Sequence, residues 1–559
     1  MAINYAKTLN RRATPQSQPI PGSTQVPNSA GGYSWCVDDW TRFDRFLILG
    51  AEGGTYYVAE RDLVKQNHDA VVRCIKADGV RAVKRIVEIS DSARAPKNDP
   101  AIFALALVAT HGSNEAKALA FQNLGKVCRI GTHLFHFAEY VNALRGWGRG
   151  LRNAVGRWYL SREADELAHQ AVKYQQRDGW SHGDLLRLAH PKASRLSGTQ
   201  HDAVFRWMLR GSSASLGADS LGEREVKRKV RGEDRVAKYD AVGALPKFIE
   251  AFEQVKRATN VIQVAKLIDE FDLPREAIPT QRLNEVKVWE ALLERMPMTA
   301  MIRNLGKMTS IGLVQPFSEA AKLIVRKLSD ETVLKRARIH PLAVLIAEKV
   351  YAQGKGDKGS LTWKPVPQII DALDEAFYAT FRNVKPCGKP MLLALDVSGS
   401  MGGSSVAGSC LTPREASAAM ALVTAATERE YHIMGFSSRF MPLNISPRMR
   451  LDDVVKRISN LPFEGTDCAL PMIWARENEV NVSAFITYTD SETWAGKIHP
   501  SQALRQYRNE FVGDAKAVVV GMTSNGFTIA DPNDRGMLDV VGFDTTAPAV
   551  IADFVRSGD

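Results

Sequence analysis

Helical periodicity runs almost unbroken from residue 33 to about residue 385, and this length constrains the fold more than any other feature. The three- and four-residue spacing of apolar residues that marks an amphipathic helix is clearest over residues 114–127, 162–177, 281–294 and 339–351. One hydrophobic core stops growing at roughly 250–300 residues, so such a segment must bury its apolar faces in another way. Stacked helix pairs do so. HEAT-like repeats are therefore the predicted architecture, although no fixed sequence period marks them.

Beyond residue 385 the pattern changes to alternating strands and helices. Helical spacing separates apolar runs of strand length at residues 390–397, 482–488 and 515–521. This alternation favours a mostly parallel sheet with helices on both faces, in which sites form at the carboxyl ends of the strands. The chain is thus predicted to be multidomain, with an α-helical HEAT-like domain at 31–385 and a Rossmann-like α/β domain at 386–559.

Residues 1–30 are rich in Pro, Ser and Gln and are predicted to be a disordered N-terminal extension. They lack the apolar core of a signal peptide, and the longest apolar stretch, residues 101–109, is too short to span a bilayer. The six cysteines are scattered and form no C-x-x-C pair, which is typical of free thiols in a reducing compartment. The sequence accordingly predicts a cytoplasmic protein without a membrane partner.

Charge is divided unevenly along the chain. The net charge is +11, but the residues from Lys389 onward contribute −5, with 15 Lys and Arg against 20 Asp and Glu. The preceding residues therefore carry +16. Such a surplus on the helical part indicates a polyanionic partner, and nucleic acid fits it better than a membrane surface. Modest basicity for solubility is the alternative, which charge alone leaves open.

Hydroxyl and carboxylate side chains recur at the predicted strand ends of the α/β domain. Asp396, Ser398 and Ser400 follow the first strand, and their period-two spacing directs them toward one point as the chain turns. Thr466 lies in a loop before a helix, and Asp490 ends a later buried strand. Such hard oxygen donors suit Mg²⁺, with Mn²⁺ as a second choice, and not a thiophilic metal. The five residues together predict a divalent-metal site.

Two other interpretations of this cluster stay open. A single D-x-S-x-S string often forms only an Asx-turn or a helix N-cap. Two carboxylates with Mg²⁺ could instead serve phosphoryl transfer, as in a nuclease. Against catalysis, the sequence has no P-loop, no kinase-type Gly-rich loop and no G-x-S-x-G motif. No catalytic residue is assigned, and the chain is predicted not to be an enzyme.

The segment 145–192 combines basic and aromatic residues. Lys173 and Arg177 are four apart and would share one face of a predicted helix, while Arg187 and His190 are three apart on the next. Phosphate contacts by this surface would supply affinity for RNA. The candidate RNA-binding residues are Lys173, Arg177, Arg187, His190, Arg149 and Arg152.

The same segment also has a purely structural interpretation. A basic helix face is usually only solvated, and His190, just before a proline, has the position of a helix C-cap. Nearby aromatic side chains could stack on exposed bases, but at helical spacing they are more often core. These aromatic residues are Trp147, Trp158, Tyr159 and Trp180.

Strings spread along most of the chain carry a specific family resemblance. They include CRIGTHLF at 128–135, KYQQRDGWSHGDLLRLAHPK at 173–192, MPMTAMIRNLGKMT at 296–309 and YTDSETWAG at 488–496. On these strings the chain from about Gly31 resembles the Ro autoantigen (TROVE-module) family. The resemblance implies a ring of HEAT-like repeats closed by a von Willebrand A-type domain. The adhesion-type metal site of that domain matches Asp396, Ser398, Ser400, Thr466 and Asp490.

The resemblance also implies a function. Ro proteins bind small non-coding Y RNAs on the outer surface of the ring, and Lys173, Arg177 and His190 occupy the implicated positions. The central hole takes single-stranded 3′ ends of misfolded non-coding RNAs, and bacterial relatives associate with polynucleotide phosphorylase through a Y RNA tether. We therefore expect a monomeric ring that acts in non-coding RNA quality control and degradation.

Two features depart from the family pattern. The N-terminal extension lies outside the resemblance, and Gly131 stands where a proline is expected, which leaves the local rigidity near Thr132 and His133 open. The rival from another functional class is a protein-adhesion module, whose metal captures an acidic partner while the helices act as a spacer. The charge of +16 on the helical part favours RNA binding over pure adhesion.

Overall fold

The computed structural model describes most of the chain between residues 13 and 556. The residues left out within that span are 52–58, 93, 96, 192–198, 212–226, 231–232, 237–243, 340, 357–359, 382–385, 407–408, 462–464 and 543–545. Residues 1–12 of the predicted extension and the predicted domain boundary at 385 lie outside the described residues.

Helices dominate the described structure between residues 39 and 379. They are α1 (Asp39–Leu49), α2 (Glu60–Asp91), α3 (Asp99–His111), α4 (Asn114–Gln122), α5 (Leu124–Val127), α6 (Gly131–Leu144), α7 (Arg149–Leu160), α8 (Ala164–Lys173), α9 (His182–Ala189), α10 (Gln200–Arg210), α11 (Lys247–Arg257), α12 (Val261–Phe271), α13 (Val286–Arg295), α14 (Met298–Ser310), α15 (Glu319–Ser329), α16 (Glu331–Ala337), α17 (Pro341–Ala352) and α18 (Pro367–Ala379). Helices adjacent in sequence pack on one another, as α1 on α2 and α17 on α18 do. Their apolar faces join into a continuous core, as the predicted helix pairs require.

The prediction of one helix over 162–177 is wrong at its end. Helix α8 stops at Lys173, and a hairpin of β3 (Gln176–Arg177) and β4 (Trp180–Ser181) follows. Asp178 and Gly179 between the strands both have positive φ, 51° and 79°. Two such residues form the tight turn that joins antiparallel strands, so the turn overrides the helical spacing. Lys173 and Arg177 therefore do not share a helix face.

The α/β domain is built on a six-stranded sheet with the order β13-β11-β10-β7-β8-β9. Its strands are β7 (Met391–Asp396), β8 (Tyr431–Phe436), β9 (Phe440–Pro442), β10 (Ala484–Thr489), β11 (Lys516–Gly521) and β13 (Met537–Val540). All neighbours pair in parallel except β8 and β9. The helices of this domain are α19 (Pro413–Thr427), α20 (Leu451–Ser459), α21 (Leu470–Glu477), α22 (Pro500–Glu510) and α23 (Thr546–Arg556). The predicted mostly parallel architecture is confirmed.

The N-terminal segment is ordered from residue 13, which corrects the prediction of disorder over 13–30. Strands β1 (Val26–Pro27) and β2 (Tyr33–Cys36) form a small sheet with β12 (Phe527–Thr528) of the α/β domain. Composition predicted disorder because the segment is polar. Its polar groups instead find hydrogen-bond partners on a distant part of the chain, as Gln16 does through its backbone N–H and Gly496 O.

Two further antiparallel strands, β5 (Lys227–Val230) and β6 (Glu233–Val236), lie within the helical part.

The helical part contacts the α/β domain near both of its ends. Near the start, Arg45 of α1 forms a buried ion pair with Asp539 of β13 at 2.6 Å. Near the end, the Tyr378 hydroxyl of α18 donates to the backbone O of Met449 at 3.0 Å. The α/β domain thus joins the beginning of the helical part to its end. Among the described helices, none is long and apolar enough to cross a membrane.

Candidate metal centre and basic surface

The two carboxylates predicted from the sequence end adjacent strands of the sheet. Asp396 is the last residue of β7, and Asp490 directly follows β10. The two strands pair in parallel, with Tyr488 opposite Leu395, so both carboxylates lie at the same edge. Each is almost completely buried.

Hydrogen bonds join four of the five predicted ligands. The backbone N–H of Ser398 donates to Asp396 Oδ1 at 2.9 Å, and the hydroxyls of Ser398 and Ser400 lie 3.0 Å apart. The side chain of Ser400 in turn hydrogen-bonds to Asp490. Asp396, Ser398, Ser400 and Asp490 thereby form one network, as the spacing predicts.

The fifth predicted ligand, Thr466, is held on the loop beside this network. Its carbonyl O accepts hydrogen bonds from the backbone N–H groups of Trp494 (3.0 Å) and Ala495 (3.1 Å), which belong to the loop after Asp490. Thr466 is buried like the other four. All five residues therefore stand at one edge of the sheet, where the segment that begins at Asp490 contacts both Ser400 and the loop of Thr466.

Burial raises the pKa of both carboxylic acids. For Asp490 the negative charges of Asp396 and Glu492 add to the effect of burial, and its pKa rises to about 8. Burial also raises the pKa of Asp396, against the opposing hydrogen bonds from Ser398 and Thr489. A divalent cation between the two carboxylates would offset both the burial cost and the mutual repulsion.

The donor set fits a hard divalent cation. Two carboxylates and three hydroxyls are the oxygen ligands that Mg²⁺ takes, and the site offers no sulfur or imidazole ligand from the predicted set. Among the described residues there is no group of three His, Cys, Asp or Glu side chains that could hold a metal. A metal at this edge would therefore depend on the hydroxyls of Ser398, Ser400 and Thr466 as well as on the carboxylates.

Sequence reasoning missed several residues that shape this edge. The Thr489 hydroxyl donates to Asp396 Oδ2 at 2.7 Å, and Arg414 donates to the backbone O of Ser398 at 2.9 Å. Asn525 donates from its amide to the backbone O of Asp490 at 2.7 Å and also reaches Glu492. Thr489 could have been suspected because it adjoins Asp490, whereas no local pattern marks Arg414 or Asn525.

The predicted RNA-binding residues lie on α7, the end of α8, the β3–β4 hairpin and α9. Arg149 and Arg152 lie on the first turns of α7, Arg177 on the β3–β4 hairpin, and Arg187 on α9. All four are exposed. Lys173, at the end of α8, is half-buried, with its ammonium 5.5 Å from the centre of the Tyr174 ring.

His190 is the C-cap of α9 and has left-handed backbone angles, φ 44° and ψ 57°. The structural interpretation as a helix cap is thus correct, and its exposed ring is free to face solvent as well. A capping box formed by Ser181 and Asp184 starts the same helix. Both ends of this short helix are therefore defined by local sequence signals.

Packing contacts connect α7, the hairpin and α9. The Trp180 ring of the hairpin lies 5.6 Å from the Trp147 ring, just before α7. Pro191, next to His190, lies 3.9 Å from the point where a Cβ of Gly156 in α7 would stand. The hairpin thus adjoins the start of α7, and the end of α9 adjoins its middle.

The aromatic residues of this segment belong to the protein interior. Trp158 and Tyr159 are buried in the helical core, so the interpretation of these two residues as core residues is correct and they are not available to stack on bases. Trp180 is half-buried and donates from its indole N–H to Glu139 at 2.8 Å. The preference of aromatic residues at helical spacing for the core explains this outcome.

A cavity of about 610 Å³, which the sequence did not indicate, lies where distant parts of the chain meet. Its walls come from α14, α17 and the loop containing Trp363, with Val406 and Ser409 of the α/β domain at one side. Four cationic residues line it, two of them on α14: Lys97, Arg275, Arg303 and Lys307.

The helical domain contacts the α/β domain near both of its ends, and a cluster of oxygen donors lies at the strand edge of the α/β domain. These features define a protein that joins a helical-repeat domain to a von Willebrand A-type domain. Comparison with known families gives the same class of protein. A TROVE domain model matches residues 26–349, and a Ro60 vWA domain model matches residues 390–555. The chain belongs to the Ro60 family.

Its similarity to individual members extends over nearly the whole length. The RNA-binding protein RO60 of Deinococcus radiodurans is 40% identical over 556 residues, covering 99% of each chain. The RNA-binding protein RO60 of Caenorhabditis elegans is 38% identical over 582 residues, covering 95% of this chain and 90% of that one. The crystal structure of the Deinococcus radiodurans RO (RSR) protein matches with a TM-score of 0.67, covering 93% of this chain and 99% of that chain. The N-terminal segment, expected to lie outside the resemblance, falls largely within the 99% alignment.

Proposed function

We propose that the protein is a non-enzymatic RNA-binding scaffold for the quality control and degradation of non-coding RNA. In this proposal a small structured RNA of the Y RNA class binds the outer basic surface formed by α7, the β3–β4 hairpin and α9. The observation that carries it is the group of exposed cationic side chains on these adjacent elements, within a helical part of net charge +16. Phosphate contacts would supply the affinity, so binding should weaken steeply with salt.

We further propose that single-stranded 3′ ends of misfolded RNAs enter a central hole of a monomeric ring. The contacts of the α/β domain with both ends of the helical part support closure within one chain. The cavity lined by Lys97, Arg275, Arg303 and Lys307 supports an inner site that attracts phosphates, and Trp289 and Trp363 add aromatic surface there. A nuclease partner, polynucleotide phosphorylase tethered by the bound Y RNA, completes the proposal.

The five oxygen donors at the strand edge are proposed to hold Mg²⁺, or Mn²⁺ in its place. Asp396 and Asp490 would supply charge, and Ser398, Ser400 and Thr466 would supply hydroxyl ligands. When bound, the metal would offer a coordination position to an acidic group of a partner. The Arg414 side chain would keep the loop after β7 in place, because it donates hydrogen bonds to the backbone O atoms of Val397 and Ser398.

The decisive experiment is to purify the protein from its native cells after crosslinking and to sequence the bound RNA. We expect one abundant small structured RNA, with an affinity that falls about 10- to 100-fold in the triple variant Lys173→Ala, Arg177→Ala, His190→Ala. The matched control is Lys322→Ala with Arg326→Ala, which removes two positive charges from α15. It should bind nearly as well as the unchanged protein.

Equal affinity of the triple variant and the control would exclude the proposed surface. Recovery of no enriched RNA would contradict the RNA-binding scaffold altogether. In that case an adhesion function of the α/β domain becomes the better hypothesis, and the search turns to protein partners that require Mg²⁺.

A further inference from the structure

We infer that Gln16 is a positioning residue for the metal centre, and that the N-terminal segment thereby sets the affinity for the divalent cation. Gln16 ties the loop that carries Thr466 to the loop that follows Asp490. The inference rests on the proposed metal site and adds a part of the chain that precedes both matched family models, since the first of them begins at residue 26.

Gln16 is completely buried and uses its whole side-chain amide. Its Nε2 donates to Asp467 Oδ1 at 2.7 Å and to the backbone O of Ile498 at 2.8 Å. Its Oε1 accepts a hydrogen bond from the hydroxyl of Thr493. The backbone N–H of Gln16 donates to Gly496 O at 2.8 Å. One side chain is thus bonded to two separate loops of a domain more than 400 residues away in sequence.

Both loops carry proposed metal ligands. Asp467 directly follows Thr466, and the Thr493 hydroxyl that bonds to Gln16 also lies 3.1 Å from the backbone O of Thr466. Thr493 is three residues beyond Asp490. Gln16 therefore acts on Thr466 through Asp467 on one side and through Thr493 on the other.

The rest of the N-terminal segment supports the same loops. Asn28 Nδ2 donates to the backbone O of Thr493 at 2.7 Å, and the Ser34 hydroxyl donates to the backbone O of Ser491 at 3.0 Å. The backbone N–H of Ser29 donates to Glu492 Oε2 at 2.8 Å. Each of the three residues after Asp490 thus accepts a hydrogen bond from the N-terminal segment.

The packing around Gln16 is closely matched to its shape. A Cβ added at Gly496 would stand 2.2 Å from Gln16 Nε2, so only glycine leaves room for the amide. Losing the amide would leave buried Asp467 without one of its donors and would release both loops to other arrangements. Groups that orient metal ligands from outside the coordination shell typically change metal affinity by about 10- to 100-fold.

The test measures Mn²⁺ binding to the full-length protein by electron paramagnetic resonance and by titration calorimetry. Gln16→Ala, and the nearly isosteric Gln16→Glu, should bind Mn²⁺ about 10- to 100-fold more weakly. Gln18→Ala is the matched control, because Gln18 is the same residue type in the same segment but its side chain is exposed. The rise in melting temperature on adding Mg²⁺ should shrink in both Gln16 variants and persist in the control.

A purely structural role would lower the melting temperature without Mg²⁺ and leave the Mn²⁺ affinity unchanged, and that result would overturn the inference. Asp396→Asn separates this failure from failure of the metal site. If Asp396→Asn abolishes binding and the Gln16 variants do not weaken it, the site stands and the role of Gln16 is refuted. If the unchanged protein binds no Mn²⁺, both proposals are refuted.

Discussion

Asp396 and Asp490 determine what the strand edge can bind. Two carboxylates buried side by side repel each other and lose hydration, so their environment favours either protonation or a bound cation. The hydroxyls of Ser398 and Ser400 bridge them and cannot supply positive charge. At the scale of single residues, a divalent cation is therefore the simplest means by which both carboxylates stay ionised near neutral pH.

The substitution Asp396→Asn tests this argument. It removes one charged ligand, so Mn²⁺ affinity should fall by at least about 100-fold, and Mg²⁺ should no longer raise the melting temperature. Calorimetric titration measures the first effect and thermal unfolding the second. Asp514→Asn, an exposed carboxylate of the same domain, should change neither. Unchanged Mn²⁺ affinity in Asp396→Asn would mean that the assignment of the ligands is wrong.

At the scale of elements, the contact between the start of α6 and the end of α8 supports the hairpin that carries Arg177. Gly131 is the first residue of α6, where a proline was expected, and its backbone N–H donates to Gln170 Oε1 at 3.0 Å. Proline would lose this hydrogen bond. Thr132 and His133 lie within the same helix, which gives the local backbone a regular structure.

Gly131→Ala should destabilise the protein. The added Cβ would stand 2.9 Å from Tyr174 Cβ and 3.1 Å from the His182 ring, so the two elements would have to move apart. Overpacking of this kind costs about 1–3 kcal/mol, which urea denaturation can measure. Gly125→Ala in α5 is the control, since nothing lies within 4 Å of its added Cβ and alanine favours a helix. Equal stability of the two variants would contradict the tight contact.

At the scale of the whole molecule, the contact between the end of the helical part and the α/β domain contains a buried acid. Glu348 of α17 is only 8% exposed, and burial together with the negative charges of Asp374 and Asp452 raises its pKa to about 7. The folded protein therefore holds a proton on Glu348 at a pH where the unfolded chain has lost it. The stability that this proton contributes is fully present below about pH 4.5 and is lost as the pH rises to about 7.

Glu348→Gln should flatten this pH dependence. The unchanged protein should lose stability between pH 5 and pH 8, and the variant should lose about 1–3 kcal/mol less over the same range. Denaturation midpoints in urea across the pH series measure the difference. Glu319→Gln, whose side chain is 89% exposed, should follow the unchanged protein. Parallel curves for Glu348→Gln and the unchanged protein would exclude Glu348 as a source of the pH dependence.

Local patterns in the sequence were enough to predict the division into a helical part and an α/β domain. They also predicted the strand ends that carry Asp396 and Asp490, and they offered the helix-cap interpretation of His190. These features depend on residues close together in sequence, because periodicity, caps and strand ends are set by neighbours within a few positions. The strings shared with the Ro family predicted the membership that the comparisons show.

Only the tertiary structure decided that residues 13–30 are ordered, that α8 ends at Lys173 and that Glu348 is buried. Gln16 can be buried because Asp467 accepts a hydrogen bond from its amide nitrogen and the Thr493 hydroxyl donates one to its amide oxygen. No local pattern could reveal partners so distant in sequence. The hairpin at 176–181 replaced helix because its turn residues take positive φ while Trp180 finds a partner in Glu139. Sequence thus determined which elements form and which chemistry their ends carry. The meeting of distant elements decided which polar groups are buried, since burial depends on what the rest of the chain brings into contact.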